Sequence, residues 1–123
     1  MSVNDRKATV RRLKDMVARF ISERHWQKYH RPKDLAMSIA IEAAELMEHF
    51  QWKTPEECAA LVRNPRTRRM IADEMADVLA FLLSLSNVTG IDLAGSLKAK
   101  DAGNRRKYPV ARYKGVYRRP RRR

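Results

Sequence analysis

Apolar side chains recur along this chain at three- and four-residue intervals, the helical period, and no stretch alternates in the two-residue rhythm of a strand. Val10, Leu13, Val17, Phe20 and Ile21 predict a first helix over about Asp5 to Trp26, followed by an aromatic-rich break from His25 to Pro32. Pro32 suits the first turn of a second helix reaching about Phe50, since its missing N–H is an unpaired donor there anyway. Thr54-Pro55-Glu56-Glu57 has the spacing of a capping box and predicts a short helix to about Val62. After Arg63-Asn64-Pro65 a third long helix is expected from about Arg66 to Asn87. Gly90 stops it, and Asp92 caps a fourth that runs to about Gly103. Little regular structure is expected beyond Pro109. The fold class is all-α, with four main helices.

The second helix is apolar almost all the way round. Leu35, Ile39, Ala43, Leu46 and Phe50 form one stripe, Ala36, Ala40 and Met47 widen it, and Met37, Ile41 and Ala44 cover much of the back. Such a helix is expected to be largely buried. Its polar residues Ser38, Glu42, Glu45 and His49 fall in one narrow sector. The third long helix repeats the design: Ile71, Met75, Val78, Leu79, Leu82 and Leu85 make the stripe, while Glu74 and Asp77 occupy another sector.

Each acidic pair has i, i+3 spacing, so both of its carboxylates project from one helix face. Packed antiparallel, the two helices bring the pairs together. Four converging carboxylates repel one another and rise in pKa unless a cation neutralises them. Oxygen-only ligands select a hard cation, Mg²⁺ or Mn²⁺. A di-iron bundle wants Glu-x-x-His pairs, whereas Glu45 and Asp77 stand three residues after Glu42 and Glu74. Zinc fails for want of cysteine and histidine at ligand spacing. Solvated acids on two unrelated helix faces are the plain alternative.

The 123 residues suit one domain, and the lone Cys58 fits a reducing cytosol. The N-terminus lacks an apolar signal-peptide core, and the longest apolar run, Val78 to Leu83, is too short to span a bilayer. A cytoplasmic protein without a membrane role is therefore expected. Net charge is +13, and seven basic residues with no acid lie between Arg112 and Arg123. Residues 1–109 are expected to form the domain and 110–123 a flexible basic tail making weak contact with RNA or another polyanion.

Glu42-x-x-Glu45 and, twenty-eight residues on, Glu74-x-x-Asp77 resemble the E-x-x-E…E-x-x-D signature of the MazG-like, all-α nucleoside triphosphate pyrophosphohydrolases. Glu23 to Pro32 and Glu45 to Trp52, with its Phe-Gln-Trp ending, resemble the dCTP pyrophosphatase branch of that family. Lys100-x-x-x-Asn104-x-x-Lys107-Tyr108-Pro109 is similar to the family's nucleotide-binding motif. The resemblance covers about residues 10 to 109. It implies hydrolysis of an NTP or dNTP to the monophosphate and pyrophosphate in nucleotide-pool cleansing, with dCTP or a modified pyrimidine nucleotide as the preferred substrate. It further implies a homo-oligomer, either dimer or dimer-of-dimers tetramer, that completes the bundle.

On this resemblance Glu42, Glu45, Glu74 and Asp77 hold Mg²⁺, and Glu45 or Glu48 orients the attacking water. Lys100, Asn104, Lys107 and Tyr108 bind phosphate and sugar, and Trp26, His30 and Trp52 are the candidates for the base. The Arg-rich end after Pro109 departs from the family pattern, and Gly103 suggests an early end to the fourth helix. The rival reading is a non-catalytic basic helical protein that binds nucleic acid or nucleotide, although no helix-turn-helix or zinc-finger spacing is present.

Overall fold

The computed structural model describes residues 2–118. They form helices α1 (Val10–Glu23), α2 (Pro32–Glu48), α3 (Pro55–Arg63), α4 (Pro65–Thr89), α5 (Leu93–Lys107) and α6 (Val110–Tyr113), with a 3-10 turn at Gln27–Tyr29. No strand occurs among the described residues. The chain divides into two compact units, Met1–Gly90 and Ile91–Arg123. The division follows α4, at Gly90.

Capping chemistry fixes most helix boundaries. The hydroxyl of Thr54 accepts from Glu57 N at 3.2 Å while the Glu57 carboxylate accepts from Thr54 N at 3.4 Å, completing the expected box. Asn64 ends α3 and starts α4, its side-chain oxygen accepting from Arg66 N and Thr67 N ahead of Pro65. Gly90 closes α4 at φ 73°, and Asp92 accepts from Gly95 N at 2.8 Å to open α5.

Helix α1 is shorter than the apolar spacing suggested. Asn4 closes a separate turn by accepting from Arg6 N and Lys7 N, so the helix begins only after the Thr9 cap. It ends at Glu23 because His25 takes a left-handed φ of 53°. Two further expectations fail. Helix α5 continues through Gly103 to Lys107, reinforced by the Asp101–Arg105 ion pair at 2.8 Å and by three basic residues in its last turn. Beyond Pro109 the chain makes a further helical turn, α6.

In the first unit α4 packs most extensively on α2 and also contacts α1 and α3. His30 stacks on Phe81, Glu42 meets Glu74, and Phe50 shares a groove with Arg68. Residue numbers therefore rise along α2 as they fall along α4, and the pair is antiparallel. Asn87 of α4 ties down α1 by donating to the Lys14 carbonyl at 3.0 Å. The core is small, with Leu35, Ile71 and Leu83 its buried apolar residues.

The expectation that α2 is largely buried is not met in the single chain. Leu35 is its one buried residue, and Met37, Ile41 and Met47 are each more than half exposed. One partner helix covers one side of a cylinder, so an all-round apolar helix keeps bare faces. Among the described residues no single helix is long and apolar enough to cross a membrane.

Candidate active site

Because α2 and α4 run antiparallel, the same-face acids predicted on each confront one another. Carboxylate oxygens of Glu42, Glu45 and Glu74 all lie within 4.8 Å of one another. Glu42 and Glu74 are half-buried, and each has an Oε2 sealed from solvent with no hydrogen-bond partner. Ionised carboxylates only accept hydrogen bonds, so the three cannot satisfy each other once deprotonated.

The electrostatics record that conflict. Burial is the first cause that raises the Glu42 carboxyl from 4.5 to about 7. A hydrogen bond with Glu45, which needs a retained proton, and the negative charges of Glu45 and Asp77 add to it. Glu74 is raised too, first by burial, then by hydrogen bonding and repulsion from Glu45, with the Glu42 hydrogen bond opposing. Asp77 is exposed and stands outside the three-carboxylate group, so its effect on the pair is through charge. Glu48, the exposed last residue of α2, contributes no atom to that group.

A hard cation fits this arrangement. Glu42, Glu45 and Glu74 would hold such an ion through carboxylate oxygens, the ligands a hard cation prefers. A bound cation would give the orphaned Oε2 atoms a partner and would neutralise the repulsion.

On the acid-bearing side of α4, Phe81 and Ser84 follow Glu74 and Asp77 at helical spacing. There a pocket of about 270 Å³ is lined by Ser22, Gln27, His30, Ser84 and Asn87 among others. His30 Nδ1 lies 3.0 Å from the Trp26 carbonyl, which only accepts, so Nδ1 carries the proton. In the neutral ring Nε2 is then an acceptor. The ring stacks on Phe81, with centroids 6.5 Å apart.

Of the three aromatic candidates for a base, His30 alone is among the residues lining this pocket. Trp26 packs edge-on against Phe20 of α1, and Trp52 is 87% exposed beyond the end of α2. Gln27, Phe81 and Ser84 were missed from the sequence, where a glutamine, a phenylalanine and a serine carry no chemical signature. The i, i+4, i+7 relation of Asp77, Phe81 and Ser84 was the available sign. Lys100, Asn104, Lys107 and Tyr108 all belong to the second unit, on α5 and at its end, with Lys107 Nζ 5.6 Å from the Tyr108 ring.

An antiparallel helix pair that brings three carboxylates together defines an all-helical protein with a candidate divalent-cation site. Residues 37–119 match the model of the MazG-like family, and the chain belongs to that family. It is 35% identical over 102 residues to dCTP pyrophosphatase 1 of Bos taurus and 36% identical to that of Homo sapiens. Each match covers 83% of this chain and 60% of the relative, so the chain spans less than two thirds of these proteins. It is also similar to the crystal structure of a pyrophosphatase from Archaeoglobus fulgidus. There the TM-score is 0.77 at 38% identity, covering 88% of this chain and 99% of that one.

Proposed function

We propose that this chain is a Mg²⁺-dependent nucleoside triphosphate pyrophosphohydrolase, splitting an NTP or dNTP between its α and β phosphates. The observation carrying this reading is the Glu42–Glu45–Glu74 cluster, with its two sealed, partnerless oxygens, in a chain of the MazG-like family. The similarity to dCTP pyrophosphatases favours dCTP or a modified pyrimidine nucleotide, with nucleotide-pool cleansing as the role.

A bound Mg²⁺, or Mn²⁺ in its place, supplies positive charge to the phosphate oxygens and to the pyrophosphate leaving group. Glu42 and Glu74 hold it from the sealed side of the cluster, Glu45 from the exposed rim, and Asp77 adds negative charge from the next turn of α4. Glu45 also faces solvent and orients the attacking water as it approaches the α phosphorus; Glu48 is the alternative for that task. His30 Nε2 accepts an N–H from the base, and the pocket it shares with Gln27 and Ser84 has room for one ring system. Trp26 and Trp52 offer further stacking surfaces. Lys100, Asn104, Lys107 and Tyr108 are proposed to bind phosphate and sugar.

The bare apolar faces of α2 and α4 support assembly as a dimer or tetramer. Met47 and Met75 belong to a groove of about 700 Å³ lined by α2, α3 and α4 and set across α2 from Glu45. The Arg-rich tail, whose residues 119–123 lie outside the described residues, is proposed to make weak, salt-sensitive contacts with polyanions such as RNA.

The test is pyrophosphate release from a panel of NTPs and dNTPs, with Mg²⁺ and with EDTA, by the parent and Glu74→Gln. Metal-dependent release that Glu74→Gln lowers at least about a hundredfold is expected, with helicity unchanged. No metal-dependent release from any nucleotide overturns the enzymatic reading and leaves the non-catalytic binding protein.

A further inference from the structure

The polar groups of the His30 pocket carry more information about a ligand than its size does, because the backbone fixes which of their atoms are available. The pocket, about 270 Å³, is lined from α1, from the turn that carries Gln27 and His30, and from α4, all within the first unit. Ten residues of α4 separate Glu74 from Ser84, about 15 Å at 1.5 Å per residue. A nucleoside triphosphate covers such a span from its phosphates to its base.

Asn87, one helical turn beyond Ser84, lines the pocket and donates from Nδ2 to the Lys14 carbonyl of α1 at 3.0 Å. A carbonyl only accepts, so the amide cannot be turned round, and Oδ1 is the end left for a ligand. His30 obeys the same rule: its Nδ1 proton goes to the Trp26 carbonyl, and Nε2 is a bare acceptor in the neutral ring. Ser84 is only 6% exposed, and its hydroxyl has no hydrogen-bond partner among the described residues. Among those residues the sealed, partnerless side-chain atoms are Oε2 of Glu42 and of Glu74. The Ser84 hydroxyl and Asn87 Oδ1 are therefore within reach of a ligand.

We propose that Asn87 Oδ1 and His30 Nε2 clamp the exocyclic amino group of a 4-aminopyrimidine, each accepting one of its two N–H bonds, while the Ser84 hydroxyl donates to ring N3. The assignment rests on the pyrophosphohydrolase reading for the ligand being a nucleotide, and it makes Asn87 a specificity-determining residue. A 4-oxopyrimidine, uracil or thymine, turns carbonyl lone pairs toward the same two acceptors and brings neither a proton there. Leaving a buried acceptor unpaired costs more than a hydrogen bond gains, so the rejection of the oxo base outweighs the attraction of the amino base.

The test compares dCTP, dUTP and the pyrimidin-2-one analogue, which has hydrogen in place of the amino group, on the parent and on Asn87→Leu. Pyrophosphate release with Mg²⁺ gives kcat and KM, and calorimetry gives the affinity of the α,β-methylene forms of dCTP and dUTP. On the parent, dUTP and the analogue should each fall at least about tenfold below dCTP in kcat/KM. In Asn87→Leu the dCTP advantage should shrink about tenfold, through KM rather than kcat. Leucine also loses the tie to Lys14, so a thermal melt accompanies each assay, and the parent's own comparison decides the matter if the variant does not fold. Equal kcat/KM for dCTP and dUTP on the parent, or an undiminished advantage in folded Asn87→Leu, overturns the clamp and leaves the enzymatic reading standing. No release from any nucleotide, with tighter binding of the dCTP form that Asn87→Leu abolishes, keeps the clamp and removes the enzymatic reading. Absence of both release and binding overturns the two together.

Discussion

Replacing Glu42 by glutamine should stabilise the metal-free protein and destroy its response to Mg²⁺, two effects of opposite sign from one atom. Glu42 holds a sealed Oε2 with no donor, and one of its carboxylate oxygens lies within 4.8 Å of those of Glu45 and Glu74. An amide has nearly the same shape, carries no charge and brings two N–H donors. The climb of the Glu42 carboxyl from 4.5 to about 7 corresponds to at most about 3.4 kcal/mol, at 1.36 kcal/mol for each tenfold in proton affinity. Water reaches part of the residue, which brings the figure to about 1–2 kcal/mol.

The sign follows from linkage. The folded-state pKa lies above the unfolded one, so the folded protein holds the extra proton. The penalty is absent below pH 4.5, grows as pH rises toward 7, and is complete above that. In EDTA at pH 8, Glu42→Gln should therefore melt about 3–10 °C above the parent. At pH 4.5 the gap should close. With Mg²⁺ at a hundred times its Kd the parent gains about 2.7 kcal/mol and the variant, short of a ligand, much less. Thermal melts at fixed protein concentration in a two-by-two design of pH and metal read all four corners. A variant that melts below the parent in EDTA at pH 8, or that gains as much from Mg²⁺, refutes the cluster as a strained cation site.

At sub-saturating Mg²⁺, turnover should rise between pH 6 and 8 as Glu42 gives up its proton, and excess Mg²⁺ should move that rise to lower pH; a flat profile removes Glu42 from the site. Ser84→Val adds bulk beside His30 and should raise KM for the preferred nucleotide while sparing Mg²⁺-induced stabilisation; unchanged kinetics show that the pocket is not the base seat. Thr54→Ala removes the cap of α3 and should cost about 1 kcal/mol, read as a Tm lower by about 3–6 °C with activity kept at low temperature. Met47→Glu places a charge on the bare face of α2 and should dissociate an assembled species in sedimentation velocity; an unaltered sedimentation coefficient rules that face out of the interface.

Local chemistry was readable wherever one residue settles one boundary. Thr54, Asn64, Gly90 and Asp92 each act through their own hydroxyl, amide, carboxylate or φ, so the ends of α3 and α4 and the start of α5 were visible in the chain. Where two residues compete, the sequence was ambiguous. Asn4 and Thr9 are both good caps, and only the structure shows that Asn4 spends its oxygen on a separate turn while Thr9 opens α1. Gly103 was given too much weight: a helical glycine costs about 1 kcal/mol against alanine, and the Asp101–Arg105 pair and the basic last turn act against it.

The site was readable to the extent that helical periodicity fixes direction. Spacing put Glu42 with Glu45 and Glu74 with Asp77, but direction is not distance, and Asp77 stands apart from the three oxygens that converge. Depth is a third quantity, and spacing carries none of it. The sealed Oε2 atoms of Glu42 and Glu74, with exposed Glu45 between them, come from the α2–α4 contact itself. That same contact leaves the Met37, Ile41 and Met47 surfaces of α2 bare. Apolar area in water is unfavourable at roughly 25 cal/mol per Å², so a helix kept apolar on faces its own chain leaves open is selected for something its own chain does not supply. On the proposed reading, the acids and the bare faces lie on one helix with different requirements, a cation on one side and a protein surface on the other. Substitutions on one side should leave the response of the other intact.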